Sequence, residues 1–314
     1  MGVLYVDRKG VELRHERGCI LVYEQGQRNG SVPLAQLEEV VIQGSALLES
    51  GLLRALAGSG VGLLVLDPRR PERTAHLESY AHGRAARRLA QYRRSLDEDW
   101  RLRFSRLLVG HKIRAQRRLM AVALERRPDL HRPLLGAIRG LDARLEETAR
   151  AVSREALRGL EGAAARDYFQ GYCRLFPESL EFKGRNRRPP RDPVNACLSL
   201  AYTLVHAEAV EAVRLAGLDP MLGFFHDLAH ARESLACDLV EPLRPQVDRW
   251  AWRMFRKRRL TAEHFHRRGE ACLLGKTGRR IFYAAFEGWR AARCRRLRRY
   301  ARWIARSLDA EGGR

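Results

Sequence analysis

A chain of 314 residues with 45% hydrophobic side chains is long enough to bury the core of one large or two ordinary domains. Its 59 Lys plus Arg against 37 Asp plus Glu leave a net charge of +22, an excess that repels itself in a compact fold and suits a polyanion, with nucleic acid the expected partner. No apolar run approaches the roughly 20 residues of a membrane span, and Asp7, Arg8 and Lys9 stand where a secretory signal needs apolar residues, so no membrane partner and a cytoplasmic location are expected.

Only five of the cations are Lys, at positions 9, 112, 183, 257 and 276. The rest are guanidinium groups, which grip phosphate in a bidentate fork. Six cysteines form no C-x-x-C pair, which excludes a zinc ribbon and a dithiol redox motif. Cys197, Cys237 and Cys272 lie in apolar surroundings and read as buried free thiols.

In chain order, Leu4-Tyr5-Val6, Cys19 to Tyr23, Val40 to Ile42 and Val61 to Leu66 are β-prone runs broken by glycines. Between the last two, Ala46 to Ala57 carries leucines at helical spacing. After the Asp67-Pro68 turn the texture changes. Residues 84–160 are rich in Ala, Leu, Arg and Glu without strand-like alternation, and read as long helices broken near Pro128 and Pro133. Helical signals continue at 194–216, 234–256 and 280–307. The expected fold is α+β: a small β-sheet domain over 1–75, then a larger all-α domain over 76–314.

Three segments of the helical part carry chemistry. The first places Glu161 beside the small residues Gly162 to Ala165. The second runs from Gly217 through Gly223 to a single histidine, His226. In the third, Asp238 and Glu241 are three residues apart and share a face if helical. Such a carboxylate pair among apolar residues needs a cation, which Arg244 could supply as a simple ion pair. On one unbroken helix His226 and Glu241 would stand about 22 Å apart at 1.5 Å rise per residue. The chain must therefore reverse over 229–233, with Ser234 as N-cap of a new helix. Glu161, His226 and Glu241 can then converge, and two carboxylates with one imidazole suit Mn²⁺ or Mg²⁺.

These segments, with Pro189-Pro190-Arg191-Asp192-Pro193-Val194-Asn195 between them, resemble the motifs of the CRISPR-associated Cas-one integrases. An E-G-x-x-A-R-x-Y-F-like stretch, P-P-x-D-P-x-N, G-x-x-P-x-x-G-x-x-H and S-L-A-x-D-L-x-E-x-x-R-P follow in order across 161–248. The resemblance implies metal ligands at Glu161, His226 and Glu241, which are also the expected catalytic residues, with Asp238, Asn195 and Arg166 supporting. It implies insertion of short duplex DNA into a repeat array by 3′-hydroxyl attack on a phosphodiester. Implied partners are double-stranded DNA, a second copy of the chain, and a Cas-two dimer in a heterohexamer. A structure-specific nuclease acting on branched DNA in repair is the alternative use of the same residues. Candidate DNA-contacting arginines are Arg185, Arg187, Arg188, Arg244, Arg293 and Arg296.

His230 departs from that pattern and creates an H-x-x-x-H spacing with His226. Asp227 stands where a zinc protease would carry its glutamate, one methylene too short. Gly275-Lys276-Thr277 lacks the earlier glycine of a phosphate-binding loop, since position 270 is Glu270.

Overall fold

The computed structural model describes residues 2–66, 75–77, 85–186 and 189–311. The expected turn at Asp67-Pro68, and Arg187 and Arg188, lie outside them. The architecture is an N-terminal β region followed by a mostly helical part. The chain divides into two compact units, Met1–His82 with Tyr283–Gly288, and Gly83–Phe282 with Trp289–Arg314.

Two four-stranded sheets build the first unit. One has β1 (Gly2–Val6), β5 (Leu37–Ile42) and β7 (Gly62–Val65) in parallel, with β8 (Ala75–Leu77) antiparallel at the edge. The other is ordered β4 (Gln27–Pro33), β3 (Cys19–Glu24), β2 (Val11–Glu16), β6 (Ala46–Leu48). Its two hairpins turn through Arg17-Gly18 and Gln25-Gly26, all four residues at positive φ. Such two-residue turns match strand twist and need a glycine where no Cβ is tolerated. Val11, Leu13, Ile20, Val40 and Ile42 meet Leu52 and Leu56 of helix α1 (Ser50–Gly58) in one core.

Two expectations change here. Ala46 to Leu48 is a strand rather than the start of a helix: it pairs in parallel with β2, Leu47 is 71% exposed, and Glu49 is extended before α1 begins. Strands β2 and β4 escaped notice because Val-Glu-Leu-Arg-His-Glu offers few apolar residues and β4 is a largely exposed edge.

The helical unit begins with α2 (Ala85–Ser95) and α3 (Glu98–Arg126), whose N-cap Asp97 accepts from the Trp100 amide at 2.9 Å. Helices α4 (His131–Arg150) and α5 (Arg154–Cys173) pack against α3. Pro133 does not break α4; it sits in the first turn, where no amide is needed. Close packing on α5 comes from Gly171, where a Cβ would meet Ala137 at 2.9 Å and Met120 at 3.0 Å. At Gly162 a Cβ would meet nothing within 4 Å.

Helix α6 (Pro193–Leu215) is long and apolar enough to cross a membrane, contrary to the reading that no run came close. Yet 72% of its most apolar stretch is buried inside the protein, as a core helix. The stretch read as one helix over 234–256 is α7 (Ser234–Val240), one 3₁₀ turn (Glu241–Leu243) and α8 (Arg244–Arg256). Pro242 and Pro245 cannot continue a helix from behind but fit the first turn of a new one, which fixes the junction at Glu241. A hairpin, β9 (Phe265–Arg268) and β10 (Ala271–Leu274), precedes the last helix, α9 (Lys276–Glu311), and adds two strands to the helical part.

Candidate metal centre

Three elements bring the charged residues together. Glu161 lies mid-way along α5, Glu241 opens the 3₁₀ turn after α7, and Lys112 projects from the middle of α3. Lys112 Nζ donates to Glu161 Oε1 and lies 2.5 Å from Glu241 Oε2. Apart from this ion pair, Glu241 Oε2 is buried without a hydrogen bond. Glu241 Oε1 accepts from Arg244 Nε at 2.7 Å, the ion pair allowed by the i, i+3 spacing. Burial opposes the ionised form of Glu241, but Arg244 and Lys112 outweigh it and hold the carboxyl well below the usual carboxylate range. Burial also opposes the ammonium of Lys112; Glu241 and Glu161 more than offset it, and its pKa is raised.

His226 arrives on the loop before α7. The chain reverses beyond it, with Ala231 at φ 53°. Ser234 is not the N-cap; Glu233 holds that position without a capping bond, and Ser234 Oγ donates to the Asp227 carbonyl at 2.8 Å. Gly223 makes this reversal fit, because a Cβ there would sit 2.8 Å from the Ser234 carbonyl and 2.9 Å from the His226 oxygen. Asp238, with no exposed surface, accepts from the amides of Phe224 (2.7 Å), Phe225 (3.1 Å) and His226 (3.1 Å). It also lies 2.7 Å from His226 Nδ1. A carboxylate accepts, so Nδ1 is the donor, and in the neutral ring it is Nε2 that carries the lone pair. Carboxylate orientation of a ligating imidazole is a recurrent device around metals.

Asp227 serves the loop instead of any reaction. Its Oδ1 accepts from Arg101 (2.5 Å) and Arg154 (2.7 Å), and its Oδ2 from Arg158. Although burial pushes the other way, Arg154 and Arg101 hold the Asp227 carboxyl well below the usual carboxylate range. His230 is exposed and outside any helix, so the H-x-x-x-H spacing builds no shared face with His226.

The supporting residues separate. Asn195 is fully buried and shapes the segment before α6: Oδ1 accepts from Arg185 (2.5 Å) and the Asn186 amide (3.1 Å), while Nδ2 donates to Asp192 (2.6 Å) and the Gly184 carbonyl (2.8 Å). Arg166 is exposed on α5, five residues past Glu161 and so about 140° around the helix, away from the site. Arg185 and Arg244 both stack on Tyr202, at 5.1 and 4.7 Å. Tyr202 and Tyr168 donate to buried Asp248, the latter at 2.8 Å, and Tyr172 donates to its backbone carbonyl at 2.8 Å. Burial pushes the Asp248 carboxyl up to about 6 against the pull of those hydroxyls.

Arg293 and Arg296 of α9 pair with no carboxylate among the described residues. Burial and the nearby guanidiniums of Arg296, Arg249 and Arg253 lower the pKa of Arg293. On α8 the exposed Arg249, Arg253 and Arg256 recur at helical spacing and extend this basic face. The period of that stripe is visible in the sequence, though no motif marks it. Lys112 carries no motif either; its one signal is a lone ammonium in an arginine-rich helix. Cys237 is only partly buried, contrary to expectation, while Cys294 is buried; all six thiols are free.

Among the described residues, no three His, Cys, Asp or Glu side chains stand close enough to hold a metal as they are. The ammonium of Lys112 lies between the two glutamates instead. The donor set still fits a hard divalent ion: two carboxylates reach one cation, one of their buried oxygens lacks a hydrogen bond, and an imidazole is aimed by a fixed acid.

The family profile described as CRISPR associated protein Cas1 matches residues 4–288. The chain is 38% identical over 292 residues to a CRISPR-associated endonuclease Cas1 of Thermodesulfovibrio yellowstonii, across 92% of this chain and 91% of that relative. A casposase solved bound to integration product superposes with a TM-score of 0.82 at 20% identity, over 98% of this chain and 91% of that one. A chain of a Cas6-RT-Cas1–Cas2 complex superposes with a TM-score of 0.83 at 22% identity, over 98% of this chain and 35% of that longer one. The chain belongs to the CRISPR-associated Cas1 family.

Proposed function

We propose that the protein is a divalent-metal-dependent DNA endonuclease and integrase, with Glu161, His226 and Glu241 as its Mn²⁺ or Mg²⁺ ligands and reaction centre. The observation that carries this reading is the sharing of one cation by two carboxylates from distant segments; His226, aimed by Asp238, is near enough for its charge to act on Glu241. The metal would supply charge stabilisation at the phosphate and a more acidic nucleophile. The protein's own groups set the stage: Arg244 fixes Glu241 Oε1, Asp238 leaves His226 Nε2 free, and Arg185 with Arg244 present guanidinium groups around Tyr202. In strand joining, the 3′-oxygen of the incoming DNA bonds to phosphorus as the bond to the repeat's own 3′-oxygen breaks. The attacking hydroxyl gives up its proton and the leaving oxygen regains one, so phosphodiesters are exchanged without an oxidant or a covalent enzyme intermediate.

The net charge of +22 and the face formed by Arg249, Arg253 and Arg256 of α8 with Arg293 and Arg296 of α9 support DNA as the partner. The casposase and the Cas1–Cas2 assembly named above support integration and a Cas2 partner. Assembly as homodimers that clasp a Cas2 dimer in a heterohexamer is part of this proposal.

The test incubates the protein, with and without its Cas2 partner, with labelled duplex and a supercoiled plasmid bearing the repeat. Label joined to plasmid in Mn²⁺ or Mg²⁺, lost in EDTA and in Glu161→Ala, His226→Ala and Glu241→Ala, is the expected result. Cutting of branched DNA without joining would replace integration with the repair-nuclease reading.

A further inference from the structure

We propose that Lys112 is a resident counter-cation of this centre, seated between Glu161 and Glu241 while no divalent ion is there and displaced when one enters. The inference rests on the metal-centre reading above, and geometry carries it. One nitrogen reaches both carboxylates, so the space a shared metal needs is the space Lys112 Nζ fills. The lysine side chain is 11% exposed and the two glutamates 21% and 7%, so the ammonium replaces water as the partner of both acids. An ion drawing both carboxylates to itself would take away the partners that hold the ammonium.

Charge points the same way. Glu161 and Glu241 are balanced by Lys112 and Arg244, leaving the group neutral as it stands. A divalent ion added with all four in place would leave two uncompensated positive charges in a largely buried site. One cation must yield, and the two are held differently. Arg244 is bonded to Glu241 Oε1 and lies over Tyr202, whereas Lys112 is a compact charge on a four-carbon stem with rotatable bonds. Withdrawn from the glutamates, the ammonium still sits beside the site, where a phosphodiester is the anion at hand. Metal and DNA would then favour each other's binding through this one side chain.

The test is Mn²⁺ binding by the full-length, chelator-stripped protein at fixed pH and salt, with free Mn²⁺ read by electron paramagnetic resonance. Lys112→Met and Lys112→Gln should each bind at least about tenfold more tightly than the unaltered protein, the scale of removing one competing charge in partly screened surroundings. Lys112→Arg, which keeps the charge, should not. Without metal, the thermal midpoint of Lys112→Met should fall, and Mn²⁺ should raise it by more than in the unaltered protein. Neutral variants that bind Mn²⁺ no more tightly overturn the displacement proposal. Glu161→Gln separates that failure from a larger one: if it binds Mn²⁺ as well as the unaltered protein, the metal centre itself is misplaced.

Discussion

Around Asp238 and around Glu241, one short segment buries two carboxylates in opposite ways. Asp238 is held by three backbone amides and an imidazole. Glu241, three residues on, is held by two side-chain cations and keeps an oxygen without a hydrogen bond. Backbone donors cannot leave, so an acid satisfied by them is a fixed anchor; side-chain cations can be exchanged, so an acid satisfied by them can take a ligand. Asp248 is likewise held by neutral donors, here the side-chain hydroxyls of two buried tyrosines. Burial alone does not separate the two roles. The partner does.

The largest effect should come from breaking the exchangeable side. Glu241→Gln keeps the shape and removes the charge, and should lower metal-dependent strand joining by about 10³-fold or more while DNA binding persists. A gel assay of joined product alongside filter binding would show it; equal loss of both would mean that Glu241 is structural.

On the fixed side, Asp238→Ala should destabilise the fold by about 2–4 kcal/mol in denaturant unfolding, because buried amides lose their acceptor. Asp238→Asn, which keeps an acceptor but loses the charge that aims His226, should instead lower metal affinity about 10–100-fold with a smaller stability cost. Similar losses from both would erase the distinction drawn between anchor and ligand.

Gly223→Ala tests the loop that joins the two. Its Cβ would meet the Ser234 backbone at 2.8 Å, which no side-chain rotation relieves. A stability loss of about 1–3 kcal/mol is expected, together with weaker joining as His226 shifts. Unaltered stability would show that the loop is not tightly seated.

Asp248 sharpens the comparison through pH. Its folded pKa, about 6, lies above the ordinary carboxylate value. Its contribution is therefore fully present below that ordinary value and is lost as pH rises through about 6, on the order of 3 kcal/mol. Asp227 has the opposite sign: depressed by its arginines, it contributes above the ordinary range and loses that contribution as pH falls below it. Relative to Asp248→Asn, the unaltered protein should lose stability between about pH 4 and pH 6 and then level off. A pH-independent difference between the two would contradict this account of Asp248.

The smallest effects belong to the basic face. Arg293→Ala and Arg296→Ala should each reduce the salt slope of DNA binding by about 1, equally for every sequence. An unchanged slope would remove those residues from the interface.

Much of this was legible in the chain. Leucine spacing and prolines announced the long helices, and the separation of His226 from Glu241 required the reversal that Ala231 makes. The four motifs carried the family. What stayed hidden depended on long-range packing: nothing near position 112 says that α3 runs past α5 and the 3₁₀ turn, so the sequence gives Lys112 no role. Asn195 and Arg166 stood in matched motifs, yet one holds a loop together and the other faces solvent. Ala46 to Leu48 misread because three residues cannot distinguish helical from strand spacing.

The most direct test of the central claim is a crystal grown with Mn²⁺ and examined at the manganese absorption edge. The account predicts an anomalous peak held by Glu161, Glu241 and His226, with the Asp238 contacts unchanged and Lys112 withdrawn. Manganese bound elsewhere, with Lys112 still bridging the two glutamates, would contradict it.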